Sequence, residues 1–335
     1  SPISAGLSTS FIAANSGLQA TIGPPVRPVC LAGLPTTAAG VGSAVLSCPN
    51  LLMCRIFGFR SVMQSGVHRS LVSADNALVL QSERHPDGWG VAYYVAGAPH
   101  VVKSAAAAVS DHLFRHVSGV VTSETVLAHI RKATQGDLST INTHPFQYGT
   151  WVFAHNGNIK GFAAVRDTLV RKVPPILRRF ILGTTDSEVL FYLILAKMSE
   201  RHELHRPGFP LAEVAEAVRE ALAEIAALVG PINPDNAGPP QDTYLTFVLT
   251  NGQVMLGHQG GKQLFVSTHK KRCPERDICP HFAAECEHEA PAVRGFVSHL
   301  IFSSEPLHGD NVWVPMQPGD IIGADGHMQM QRFRA

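Results

Sequence analysis

The hydrophobic pattern changes character at Met53. Residues 1–52 mix Ala, Gly, Ser, Thr and Pro with no period, and Arg27 is their only charge. Such a stretch buries too little apolar surface to offset its ordering entropy. Three origins are open: a disordered extension, a pro-segment, or translated upstream sequence that the natural protein lacks. The last is favoured, because the chain does not begin with Met and Met53 is its first methionine. Beyond it, patterned elements interleave. Alternation predicts a strand over 54–60, and 88–95, 100–103, 125–130 and 150–154 also read as strands. A helical period predicts helices over 74–83, 186–199 and 211–229, the second capped by Thr185 or Asp186 with Glu188 in its first turn. Strands are then expected over 244–250, 253–258, 262–267, 299–303, 311–315 and 320–324, the first two joined by an Asn251-Gly252 hairpin turn. Strands, then helices, then strands again predict sheets covered by helices in one α+β domain.

Composition narrows the function classes. The 335 residues are 45% hydrophobic and 16% charged, with net charge +1. The balance leaves no basic footprint for nucleic acid. No run reaches the roughly 18 apolar residues of a membrane span, and 190–196 reads as a core helix. The segment before Met53 lacks the basic start of a signal peptide. Six cysteines in this length do not make a disulfide scaffold, so a reduced, cytoplasmic setting is expected.

Candidate chemistry begins at Met53-Cys54. Methionine removal before a small residue leaves a cysteine whose own α-amine, with a pKa near 7.7–8.0, can take the thiol proton. An internal Cys54 has an amide there and no base. Downstream, Arg131 in 129–136 (HIRKATQG) offers a planar fork suited to a carboxylate, Thr134 and Gln135 add donors, and Gly136 frees the backbone to curl. His155-Asn156-Gly157 combines a side-chain amide with a glycine N–H, the makings of an oxyanion hole, or else a plain Asn-Gly turn. Asp186 is suited to an amino group, or serves only as a cap. Ser304 and Glu305 line a cleft or make a turn. Together these residues describe a pocket for an amino acid bearing a γ-acyl group: a glutamine pocket.

In that order the motifs resemble the class II, N-terminal-nucleophile glutamine amidotransferases. The matches are Met53-Cys54, 86–90 (PDGWG), 129–136, 142–146 (NTHPF), 155–157, 185–188 (TDSE), and 304–306 (SEP) followed by 318–321 (PGDI). The Ser-Glu-Pro ending without a fused synthase is most similar to the stand-alone YafJ-type branch, itself similar to γ-glutamyl amidohydrolases of ergothioneine biosynthesis and glutathione breakdown. The resemblance implies a four-layer αββα fold over 54–335, a γ-glutamyl thioester intermediate and no cofactor. It carries nucleophile to Cys54, carboxylate binding to Arg131 and Thr134, the oxyanion hole to Asn156 and Gly157, and amine binding to Asp186. Gln135 stands where fused synthases often have His, which bears on a lid contact. Glutamine or another γ-glutamyl compound is the expected substrate. The expected acceptor of ammonia, if any, is a separate synthase or amidohydrolase subunit; if Cys54 stays internal, a silent scaffold is the alternative. His144 and His155 are expected to brace strands. Cys273, Cys279 and Cys286, in an insertion over about 270–291, lack the tight four-ligand spacing of structural zinc, so no metal is expected.

Overall fold

The computed structural model describes residues 54–335 except 75, 134, 207, 234–240, 273–275, 278–279, 281, 283–286, 288–291 and 293. Segment 1–52, Thr134, Cys273, Cys279 and Cys286 therefore lie outside the described residues. In chain order the elements are β1 (Arg55–Gly66), α1 (Leu78–Gln81), β2 (Trp89–Val95), β3 (Ala98–Ser104), α2 (His112–Val120), β4 (Thr122–Ile130), β5 (Phe146–Tyr148), β6 (Trp151–Asn158), α3 (Phe162–Lys172), α4 (Pro175–Arg178), α5 (Asp186–Ser199) and α6 (Leu211–Val229). Then come β7 (Tyr244–Thr250), β8 (Met255–His258), β9 (Phe265–Ser267), β10 (Gly295–Phe296), β11 (His299–Ser303), β12 (Val314–Pro315), β13 (Asp320–Ala324) and β14 (Gln329–Arg334).

The strands form two seven-stranded antiparallel sheets. The first has the order β12-β9-β11-β1-β4-β2-β3 and the second β10-β14-β13-β8-β7-β6-β5. Side-chain alternation sorts the apolar residues into three layers. Ile56, Leu127 and Ala92 of the first sheet meet Val152, Ala154 and Val248 of the second, forming the seam between sheets. Phe57, Trp89, Val91 and Ala128 point the other way, onto α1 and α2 through Leu78, Val79, Phe114 and Val117. Trp151, Phe153, Phe247 and Leu249 pack under α5 and α6. The result is the four-layer αββα sandwich.

Several expected elements end elsewhere. The helix predicted over 74–83 is one turn, α1, continued by a 3-10 turn over Ser82–Arg84; Pro86 lies just beyond it. Strand β6 does not stop at Ala154 but runs on through His155, Asn156, Gly157 and Asn158. It is buried on both faces, so its sequence carries no alternation. Helices α2, α3 and α4 and strands β5, β10 and β14 carried no expectation. Helix α6 and strands β7, β11 and β13 fall at the predicted bounds. Thr185 caps α5, its side chain accepting from the Glu188 N–H. Among the described residues no helix is long and apolar enough to cross a membrane.

Candidate active site

The two sheets bring the predicted residues together at one end of their seam. Cys54 sits immediately before β1, whose register pairs Arg55 with Ile130. One step further on, the thiol lies against the loop leaving β4. It donates to the Lys132 carbonyl (3.2 Å) and accepts from the Lys132 N–H (3.1 Å). Asp87 stiffens that loop by accepting from the Ala133 N–H at 2.9 Å. From the opposite sheet, the Asn156 side-chain amide donates to the Cys54 carbonyl at 2.9 Å. Gly157 follows at a place where a Cβ would stand 1.9 Å from His155 Nε2 and 2.4 Å from the Tyr244 carbonyl, so only glycine fits.

Arg131 is buried, and its fork is partly used. It donates to the carbonyls of Asp137 and Gln135, each at 3.0 Å, so the loop curls around it. Its Nη2 also donates to the Gly136 carbonyl at 3.5 Å, while Nη1 carries a second N–H. Gln135 does not project from this loop: its amide donates to Asn158 Oδ1 at 2.8 Å and fastens the loop to the end of β6. Asn142 links the same loop to the start of α5, donating to the Asp137 carbonyl (3.3 Å) and accepting from the Thr184 N–H (2.9 Å).

Asp186 opens α5, where the helix dipole favours an anion. Its Oδ2 accepts from the Ile159 N–H and its Oδ1 from the Ser187 N–H, both at 2.8 Å. It is 2% exposed. Ser187, not anticipated from the sequence, holds His155 through its hydroxyl, 2.9 Å from Nδ1. His129 donates to the His155 carbonyl at 3.2 Å and its ring lies 4.2 Å from that of His144. These buried histidines tie the two sheets together behind the site.

Ser304 and Glu305 fasten the nucleophile's strand. Ser304 Oγ accepts from the Ile56 N–H and its own N–H donates to the Ile56 carbonyl, both at 3.0 Å. Glu305 forms an ion pair with Arg55, whose guanidinium also donates to the Cys54 carbonyl. Among the described residues no group of three or more His, Cys, Asp or Glu is placed to hold a metal ion.

The family model for class-II glutamine amidotransferases matches residues 53–333. The chain belongs to that family of enzymes. It is 27% identical over 224 residues to the probable glutamine amidotransferase DUG3 of Saccharomyces cerevisiae, a match covering 61% of this chain and 62% of that protein. The chain thus spans less than two thirds of that relative's length. It is 33% identical over 188 residues to a γ-glutamyl-hercynylcysteine sulfoxide hydrolase of Mycobacterium tuberculosis, covering 53% of this chain and 73% of the relative. A class-II glutamine aminotransferase domain protein of Silicibacter pomeroyi shares the fold, with TM-score 0.53 at 21% identity over 84% of this chain and 99% of that one.

Electrostatics in this class-II amidotransferase site follow burial. The Cys54 thiol is pushed up to about 11 by desolvation, against the opposing pull of the Lys132 N–H and the nearby Arg131 and Arg55 charges. With Met53 attached, the Cys54 nitrogen is an amide, so the chain as it stands has no base on that residue. The Asp186 carboxyl is raised to about 6 by burial, which the hydrogen bonds from Ile159 and Ser187 only partly offset. Burial drives His129 and His155 down to about 3, so both are neutral.

Proposed function

We propose that this protein hydrolyses the γ-amide of glutamine through a γ-glutamyl thioester on Cys54, once Cys54 is the N-terminal residue. The observation that carries this reading is the convergence, from two sheets, of the Cys54 thiol, the Asn156 amide and the Arg131 loop. The free amine takes the thiol proton and the sulfur bonds to the γ-carbonyl carbon. The oxyanion meets the Asn156 amide and the Gly157 N–H. The C–N bond breaks, the proton passes to the departing nitrogen, and ammonia leaves. Water then adds to the thioester, freeing glutamate and restoring the thiol. Arg131, with Thr134, takes the α-carboxylate and Asp186 the α-ammonium. The residues from 54 to 335 form one amidotransferase domain and segment 1–52 is absent from the active form. The reaction needs a reduced thiol, which suits a cytoplasmic setting, and any ammonia acceptor is a second chain.

A second reading replaces glutamine with a larger γ-glutamyl amide. It is favoured by the hydrolase from Mycobacterium tuberculosis, whose name specifies such a substrate. Glutamate release from L-glutamine tests the first reading on protein whose mass shows Cys54 at the N-terminus. Release is expected from that form and not from the full chain or from Cys54→Ala. Undiminished release by folded Cys54→Ala overturns the mechanism. A correctly processed form that spares glutamine but cleaves γ-glutamyl peptides selects the second reading, and inertness toward both selects the silent scaffold.

A further inference from the structure

Lys262 is a buried cation that the mechanism above does not use. It is 7% exposed, and its ammonium rests 4.7 Å from the centre of the Tyr244 ring. Among the described residues no carboxylate is in contact with that ammonium. Asp242, whose charge acts on it, accepts at Oδ1 from the Asn233 amide at 3.0 Å. Desolvation lowers the Lys262 pKa, and Asp242 only partly restores it. Among the described residues Lys262 lacks the paired anion that burial normally demands.

Its place in the fold is next to the reaction. Strand β7 pairs with β6 so that Thr246 lies opposite Asn156 and Tyr244 opposite Asn158. The Thr246 hydroxyl pins the bend carrying Lys262: it accepts from the N–H groups of Gly260 (3.0 Å) and Lys262 (2.9 Å) and donates to the Lys262 carbonyl (2.8 Å). Three residues later Phe265 pairs with Ser303, which itself pairs with Phe57. The segment therefore crosses from one sheet to the other at the end where Cys54 stands. Tyr244 lies opposite Asn158, whose Oδ1 accepts from Gln135 of the Arg131 loop at 2.8 Å, so the ring beneath Lys262 belongs to the same end of the sheets.

We infer that Lys262 is a specificity-determining residue that receives a second carboxylate of the substrate, one belonging to the amine portion of a γ-glutamyl amide. This rests on the γ-glutamyl reading above, in which Arg131 already takes the donor's α-carboxylate. The partner is therefore a γ-glutamyl amino acid or peptide with a free carboxylate, rather than a neutral amide.

Calorimetric binding to the full chain carrying Cys54→Ala tests this with two probes, γ-glutamylglycine and its uncharged counterpart γ-glutamylglycinamide. A charge-assisted contact predicts about 10- to 100-fold tighter binding of the glycine form. Adding Lys262→Met should abolish the preference while leaving the glycinamide Kd unchanged, and Lys262→Arg should retain it. Equal affinity for the two probes, a preference that survives Lys262→Met, or equal loss of both ligands overturns the inference. Binding of the glycinamide reports on the γ-glutamyl pocket alone, so a failure of Lys262 is distinguishable from a failure of that pocket.

Discussion

At the residue scale, two buried groups govern how the site responds to pH. Burial raises the Asp186 carboxyl from 3.8 to about 6. A carboxyl whose native pKa is raised binds its proton more tightly when folded. Its stability contribution is thus full below about 3.8 and is lost as pH rises through about 6. Keeping it ionised at neutral pH therefore costs stability. If Asp186 holds the substrate ammonium, glutamine binding to Cys54→Ala should be flat above pH 7. Below about pH 6 it should weaken, approaching about tenfold per unit. Calorimetry between pH 5 and 8 reads this directly, and a Kd constant across that range removes Asp186 from the ammonium subsite. His129, His155 and His258, driven by burial to about 3, 3 and 4, stay neutral throughout that window.

At the element scale, β6 carries the oxyanion-hole candidates because it continues as a strand where a turn was equally consistent with Asn156-Gly157. Its ladder to β7 extends from Val152–Thr250 to Asn158–Tyr244. That continuation depends on Gly157, since a methyl group there collides with both a ring and a backbone carbonyl. Gly157→Ala should lower the urea midpoint by a stability loss of about 1–3 kcal/mol, as overpacking does. Glutamate release should fall with it. A variant as stable as the parent would mean that β6 yields locally. Helix α5 illustrates the opposite case. Thr185, Asp186 and Glu188 announce its start locally, and the structure adds a use for Glu188: its carboxylate accepts from the N–H groups of Leu182 and Gly183, ordering the approach to the helix.

At the scale of the whole molecule, the site depends on the spacing of the two sheets. Phe302 of β11 is fully buried in the seam, and its ring lies 2.7 Å from where a Cβ on Gly257 of the opposite sheet would be. The aromatic ring and the bare glycine thus set the gap across which Asn156 reaches Cys54. Phe302→Ala should cost about 3–5 kcal/mol, read by thermal or urea unfolding. A loss below about 1 kcal/mol would show that the seam closes around the void instead.

The sequence by itself determined what depends on neighbours a few residues apart. One-faced helices such as α6, the cap of α5 and the short motifs that carry the family resemblance all lie in that range; the β7–β8 hairpin was also legible, but its loop is Asn251–Val254, two residues longer than the Asn251-Gly252 turn expected. Only the tertiary structure decided what each motif touches. Arg131 spends part of its fork on its own loop, Gln135, expected as a donor in the pocket, donates to Asn158, and Ser304 and Glu305 secure β1 from some 250 residues away. The thiol of Cys54 meets Lys132, and its carbonyl meets Asn156. The physical reason is that local periodicity records which face of an element is buried. A strand buried on both faces has no such period, and the partner across a sheet or a seam leaves no mark in the residues beside it.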